Sequence, residues 1–311
     1  MTPRLGVNVR NYGPTATPEN LLGWIRFAEE SGFDLAMVSD HVAPTPDVVD
    51  LYPTPFYDPF ATLAWLGAAT DRLLLGTTVT VLPYRHPLLV ARMAANIDRF
   101  TGGRFVFGVG VGWSEPEYTA LGVPFARRGA IMDEYLAAIV AAWTGDVVSL
   151  DGRFASYRDV GTGPRPAREP HPPVWVGGTS PAAIRRAARF GDAWHPNNAE
   201  HAWLRDTGLP ALRAAAADAG RPVPAFAPRM RTHVKPAGLP DGERRPGEGS
   251  LEQVVADVLT LADLGAEYIV LDTNPDHPRA EAPLEDDWRD LAAVAAAFAA
   301  SAGQRRPDMG Y

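Results

Sequence analysis

The sequence predicts an α/β chain folded as a (β/α)8 barrel with insertion segments in the βα loops, and three observations carry that prediction. Strand-like apolar runs alternate with helical periodicity from one end of the chain to the other, the pattern of parallel strands joined by crossover helices. Eight such units fit into 311 residues, close to what a barrel of this class uses. A doubly wound open sheet would carry a glycine fingerprint after its first strand, and Asn8 to Tyr12 carry none. With 46% hydrophobic residues and no marked shift in composition, the whole chain, 1–311, reads as one domain.

In chain order the strands are expected at residues 5–9, 35–38, 73–80, 105–110, 174–177, 193–195, 226–234 and 268–271. Helices are expected to start near Pro18, Pro59, Pro87, Arg127, Pro181, Ala199 and Leu251, with a last one over 284–300. Three connections exceed ordinary length, and in a barrel the βα loops form the mouth. Residues 42–58 are rich in proline and in the aromatics Tyr52, Phe56 and Tyr57. Residues 147–173 hold a β-hairpin around Asp151-Gly152 and then a proline-rich run. Residues 235–249 are charged, rich in glycine and proline, and promise little chemistry.

Composition excludes several function classes. The net charge is −8, and no basic cluster is longer than the pairs Arg244-Arg245 and Arg305-Arg306, so nucleic acid and anionic membrane are poor partners. A small uncharged or modestly charged substrate fits better. Cysteine is absent, which removes disulfides, thiolate nucleophiles and Cys-ligated metals together. Lys235 is the only lysine, so a Schiff base has one place to form. The first residues run directly into a strand and no apolar run approaches a membrane span, so a soluble cytoplasmic protein is expected. The histidines His41, His86, His171, His195, His201, His233 and His277 show no metal-ligand spacing, and no metal is expected. A GxSxG elbow is also absent, leaving serine hydrolysis without support.

Three motifs remain. Asp40-His41 follows the second strand, at the strand end where barrel enzymes keep their chemistry; a turn-capping aspartate beside a loop histidine is the plain alternative. Gly177-Gly178-Thr179-Ser180-Pro181 follows the fifth strand and opens a helix, with Ser180 suited to the N-cap and Pro181 to the first turn. Free N–H groups there suit a phosphate, although a tight βα turn uses glycine equally well, and the common barrel phosphate site follows strands seven and eight. Gly108-Val109-Gly110-Val111-Gly112 mimics a dinucleotide fingerprint, but its third glycine is mis-spaced and 131–143 is helical. These glycines either let a flat ring lie against the backbone, with Trp113 and Glu115 or Glu117 at the rim, or serve barrel packing.

Four segments, AEESGFDLAMVSDHV (28–42), LGTTVTVLPYRHP (75–87), GGRFVFGVGVGW (102–113) and PPVWVGGTSPAAIRRAARFGDAWHP (172–196), resemble the bacterial luciferase-like superfamily, in its branch using the deazaflavin coenzyme F420. The resemblance implies a TIM barrel with a non-prolyl cis peptide at Thr78-Val79. It assigns Asp40, His41, Thr78, Val79 and Gly112 to the cofactor site and Gly177, Gly178 and Thr179 to the cofactor phosphate. A substrate pocket of Tyr12, Tyr57, Trp113, Trp194 and His195 follows. Sugar-phosphate dehydrogenases of the branch carry a glutamate directly after the glycines of the fourth strand, where this chain has Trp113, and use basic residues for the substrate phosphate, so an apolar or aromatic substrate suits the chain better. The implied activity is hydride transfer between F420 and a small organic molecule, with His41 as general acid or base. A two-component monooxygenase using reduced FMN and O₂ is the alternative, a non-catalytic flavin-binding barrel the second, and a homodimer the implied assembly.

Overall fold

A computed structural model describes residues 2–240, 242–274 and 283–304. His277 and the Arg305-Arg306 pair lie outside the described residues.

The strands are β1 (Arg4–Val9), β2 (Leu35–Val38), β3 (Leu74–Thr77), β4 (Thr80–Val81), β5 (Phe105–Gly110), β6 (Val147–Asp151), β7 (Ser156–Gly161), β8 (Val174–Gly177), β9 (Ala193–His195), β10 (Ala225–Phe226), β11 (Arg229–Arg231), β12 (His233–Val234), β13 (Glu248–Gly249) and β14 (Tyr268–Asp272). The main sheet is parallel and runs β10-β9-β8-β5-β3-β2-β1-β14-β11, with β4 also on β5. Its two end strands are successive pieces of one stretch of chain, so the sheet curls round on itself; Asn197 bridges Arg229, and Phe226 bridges Ala266, across that seam. Side chains alternate across the curl. Leu35, Met37, Val106, Trp175, Ala193, Ala227 and Val270 pack inside, whereas Val7, Val9, Ala36, Val38, Phe105 and Phe107 face the helices. Burying each large apolar side chain contributes roughly 1.5–3 kcal/mol, and the two clusters clasp the sheet from both faces.

Two expected strands are interrupted. The third breaks at Thr78-Val79, whose peptide is cis, between β3 and β4. The seventh is divided into β10, β11 and β12, and Pro228, which has no N–H to give to a ladder, separates the first two. The helix expected near Ala199 begins as a single turn, His201–Trp203, and widens to a π-turn at Leu204–Gly208 before Leu209–Asp218. Pro210 in its first turn accounts for the widening, since its ring cannot sit under a regular preceding turn. The hairpin around Asp151-Gly152 is present as antiparallel β6 and β7. Segment 235–249 returns to place β13 beside β12.

Glycine governs how closely the strands meet. A Cβ on Gly108 would lie 1.8 Å from the Thr77 carbonyl oxygen, and one on Gly110 2.5 Å from a Val79 methyl. The space beside Gly108 and Gly110 is therefore taken by β3 and the Val79 side chain, as the packing reading of the run expects. Helix Pro181–Phe190 shows local sequence logic: Ser180 caps Ala183 N, proline starts the turn, Ala183, Ile184, Ala187 and Ala188 face inward, and Arg185 and Arg189 face out. No described helix is long and apolar enough to cross a membrane.

Candidate active site

The site is built where β1 and β2 end. Asn11 ties them together: its side chain accepts from Ser39 N (3.0 Å) and donates to the carbonyls of Ser39 (2.9 Å) and Tyr57 (2.8 Å). Tyr57 N returns a bond to Asn11 O, and Gly13 N bonds Pro55 O. The 42–58 loop is thereby fastened across the end of β1, and Phe56 lies against Tyr12 as an isolated bridge.

Asp40 and His41 turn to different partners. The buried Asp40 carboxylate accepts from Val81 N (2.9 Å) and from both terminal nitrogens of Arg85 (2.7 and 2.9 Å), and Arg85 also reaches Asp58 (2.9 Å). Asp40 thus braces β4 and the loop from beneath. His41 Nδ1 lies 2.6 Å from Glu117 Oε2. Glu117 belongs to the short helix Glu115–Ala120 and is fully buried. Its Oε1 accepts from Val42 N (2.7 Å) and Ala43 N (2.9 Å), and its Oε2 accepts from the Tyr84 hydroxyl (3.0 Å). Burial alone would raise the Glu117 pKa, but the His41 bond and charge and the two backbone N–H groups outweigh it and hold the carboxyl below its ordinary value. His41 Nε2 has no protein partner among the described residues and is not fully buried.

Aromatic rings wall this imidazole. Tyr52, Phe56 and Trp113 stand 5.4, 5.3 and 5.8 Å from it, centroid to centroid. Tyr12 stacks on Phe56 and meets Tyr52 edge-on, both at 5.2 Å. Trp113 remains 44% exposed.

A second polar layer closes the sheet interior. Arg229 donates to Asp272 Oδ2 (2.8 Å) and to the Thr78 carbonyl (2.7 Å), and Asn8 donates to Asp272 Oδ1 (2.8 Å). Thr78 Oγ1 lies 2.9 Å from His195 Nε2, while His195 Nδ1 faces the Ala227 carbonyl. A carbonyl only accepts, so Nδ1 carries the hydrogen and Nε2 accepts from Thr78. Burial pushes His195 down to about 4, with Arg229 adding to the effect against the Ala227 carbonyl, so the ring is neutral near pH 7. Burial would raise Asp272, but Arg229 and Asn8 hold it below its ordinary value. Tyr12, buried and close to Asp272, is raised and donates to Asn274 Oδ1 (2.6 Å).

Of the residues singled out in sequence, His41, Trp113 and Tyr12 meet in one aromatic group, and Thr78 and His195 meet in the layer beside it. Trp194 points the other way, wholly buried against Trp203 and Phe226 with Nε1 on the Gly178 carbonyl (2.8 Å). Tyr57 is half-buried against the core, and Gly112, at φ +65°, gives its side-chain space to Val81. Gly177 backs onto Val79, while Gly178 (φ +105°), Thr179 and Ser180 are exposed at the head of helix Pro181–Phe190. Sequence reasoning set Glu117 at the rim and missed its grip on His41, as well as Tyr84, Arg229, Asp272 and Asn8. The available signals were a polar Asn8 inside an apolar strand, a charge at the C-terminal end of another, Asp272, and an arginine, Arg229, within the stretch expected as the seventh strand. Among the described residues no His, Asp and Glu cluster could hold a metal ion.

A curled parallel sheet whose strand ends carry a carboxylate-bound imidazole among aromatic rings defines an α/β protein of the TIM-barrel kind with a candidate site at the strand ends. Residues 4–237 match the family described as luciferase-like monooxygenase, and the chain belongs to that family. The F420-dependent glucose-6-phosphate dehydrogenase of Beutenbergia cavernae is 37% identical over 212 residues, 66% of this chain and 60% of the relative, so the chain spans three-fifths of that relative's length. The fold matches monooxygenase RslO1 from Streptomyces bottropensis with a TM-score of 0.79 at 21% identity, covering 96% of this chain and 99% of that one. An F420-dependent secondary alcohol dehydrogenase, solved with an F420–acetone adduct, matches with a TM-score of 0.79 at 17% identity, over 96% and 99% of the two chains.

Proposed function

We propose that the protein is an F420-dependent oxidoreductase that moves a hydride between the deazaflavin and a small apolar or aromatic substrate, with His41 as general acid or base. The observation that carries the reading is the His41 imidazole, oriented through one nitrogen, open at the other and enclosed by Tyr52, Phe56 and Trp113. The name of the Beutenbergia cavernae relative supports the choice of cofactor.

The residues present fit such a group. Exposed backbone at Gly178 and Thr179, with the Thr179 hydroxyl, stands at the positive end of a ten-residue helix and suits a phosphate. When bound, the deazaflavin supplies two-electron hydride chemistry. His41 Nε2 holds the proton that the substrate gains, or takes the one it loses, at the atom next to the hydride-transfer centre. The aromatic rings exclude water from that proton and offer flat apolar surface to the substrate. A phosphorylated sugar fits less well, because Arg229 and Arg85 are spent on Asp272 and Asp40 and Lys235 is the only lysine.

The test is a side-by-side fluorescence titration of the purified protein with F420 and with FMN. Micromolar or tighter F420 binding with weak FMN binding is expected. The reverse preference would replace this reading with the two-component FMNH₂/O₂ monooxygenase that the family description suggests, and failure of both would leave a non-catalytic barrel. A homodimer is proposed on the exposed Trp65, Leu89 and Phe100 of helices Pro59–Leu66 and Pro87–Phe100; a monomeric mass in light scattering would remove it.

A further inference from the structure

We propose that Glu117 is the positioning residue of His41: it keeps the hydrogen on Nδ1 and so leaves the Nε2 lone pair free at the mouth. The inference rests on the reading of His41 as acid or base, but its first test does not.

The geometry leaves the carboxylate little choice. Oε1 is fixed by two backbone N–H groups, from Val42 and Ala43, so the group cannot rotate without abandoning both. Oε2 then has to face His41 Nδ1 and the Tyr84 hydroxyl. An ionised carboxylate only accepts, and Glu117 is held in its ionised form. The nitrogen opposite it must therefore donate. A neutral His41 carries its hydrogen on Nδ1, and the other nitrogen is the one able to take a proton.

A purely structural staple for residues 42 and 43 would need one carbonyl-type oxygen and no charge, which makes Glu117→Gln a discriminating change. The two backbone N–H groups would claim the amide oxygen of the substituted side chain. Its NH₂ group would then face His41 Nδ1 and Tyr84, giving one hydrogen to the ring nitrogen and one to the tyrosine oxygen, which is free to accept. The Tyr84 O–H loses its acceptor, but the two backbone N–H groups and the ring nitrogen keep partners and the loop stays capped, so the protein should fold. The tautomer, however, must reverse to Nε2–H, and the lone pair leaves the mouth.

The tautomer is read directly by long-range ¹H–¹⁵N correlation on histidine-labelled, cofactor-free protein, with His41 assigned by its loss in His41→Ala. The wild-type ring should show a protonated Nδ1 and an unprotonated Nε2, and Glu117→Gln should exchange them. Tyr84→Phe, which leaves the carboxylate facing the ring, should keep the wild-type tautomer. With F420 and a turned-over substrate, Glu117→Gln should lower kcat at least about tenfold and cost no more than His41→Ala, with cofactor affinity within about twofold. An Nε2–H tautomer in the wild type, or an unaltered tautomer in Glu117→Gln, overturns the proposal. A reversed tautomer with undiminished turnover supports the positioning role and overturns the acid–base reading of His41 instead.

Discussion

Asp40 and His41 are neighbours in sequence and differ in task, because successive residues leaving a strand point to different sides. Asp40 turns under the site to Arg85, and His41 turns to Glu117 and the aromatic rings. His41→Ala should therefore lower kcat at least tenfold while cofactor affinity changes less, in steady-state kinetics beside equilibrium titration. An unchanged kcat at saturating substrate would take His41 out of the chemistry. The same alternation separates Trp194 from His195: of two adjacent strand residues only one faces the interior, so naming both as pocket residues could not hold for both side chains. Gly108 marks the tightest contact between strands. Gly108→Ala would drive a methyl into the Thr77 carbonyl, and since β3 and β5 must part to admit it, the loss should be at least about 1–3 kcal/mol, read from urea denaturation. A denaturation midpoint equal to wild type would show that the strands separate without cost.

At the scale of elements, the 42–58 loop and β4 are held to the sheet by a small set of polar clasps. Arg85 is the busiest, because it joins Asp40 after β2 to Asp58 at the cap of helix Pro59–Leu66. Arg85→Ala would leave the Asp40 carboxylate buried with only Val81 N as partner, a loss of about 3–5 kcal/mol for a broken buried pair. Asp40→Asn with Arg85→Ala should recover part of that loss in a double-mutant cycle, and strictly additive costs would deny the coupling. These clasps also explain what could be read in advance. Six strands were legible because each is an apolar run of four to six residues, or three at Ala193–His195, bounded by turn residues. The break at Thr78-Val79 was legible only through the family resemblance, whose implied cis peptide is present there, and the breaks in the stretch 226–234 were not read because it was taken as one strand across Pro228. The candidate site was legible where residues are adjacent, as at Asp40-His41. It was not legible where contact crosses the chain: Glu117 is 76 residues from His41, and its helix of six residues is too short to show a periodicity. Ser114-Glu115-Pro116-Glu117 even reads as a capping box. Ser114 does cap Glu117 N (3.2 Å), but the glutamate side chain that would complete the box is drawn away to His41.

For the molecule as a whole, buried titratable groups of opposite sign set how stability follows pH. Burial lowers His195 from an ordinary 6.5 to about 4, so the unfolded chain binds a proton there before the folded one does. Its contribution is complete above pH 6.5 and is lost as the pH falls towards 4. His201, lowered by burial against the pull of Asp257, acts in the same direction. Asp287 does the reverse. Burial raises it from 3.8 to about 6, with the 2.5 Å ion pair to Arg10 offsetting only part of the cost, so the folded state takes up a proton first and gains stability as the pH falls from 6 towards 4. A two-unit shift corresponds to about 3 kcal/mol, so Asp287 cancels much of the histidine loss over that interval. Below it no compensation remains, because Asp272 and Glu117, both held below their ordinary values, must then be protonated. Urea midpoints measured from pH 7 to pH 4 should therefore decline gently in the wild type. In Asp287→Asn the compensating group is gone, and the decline between pH 6 and pH 4 should steepen by about 3 kcal/mol. The Arg10 partner is lost at every pH, so it displaces the whole curve and leaves the slope to report on Asp287 alone. Parallel curves for the two proteins would mean that Asp287 titrates at its ordinary value in the folded chain, and that the barrel end of β1 is wetter than its packing against helix Leu284–Gln304 implies.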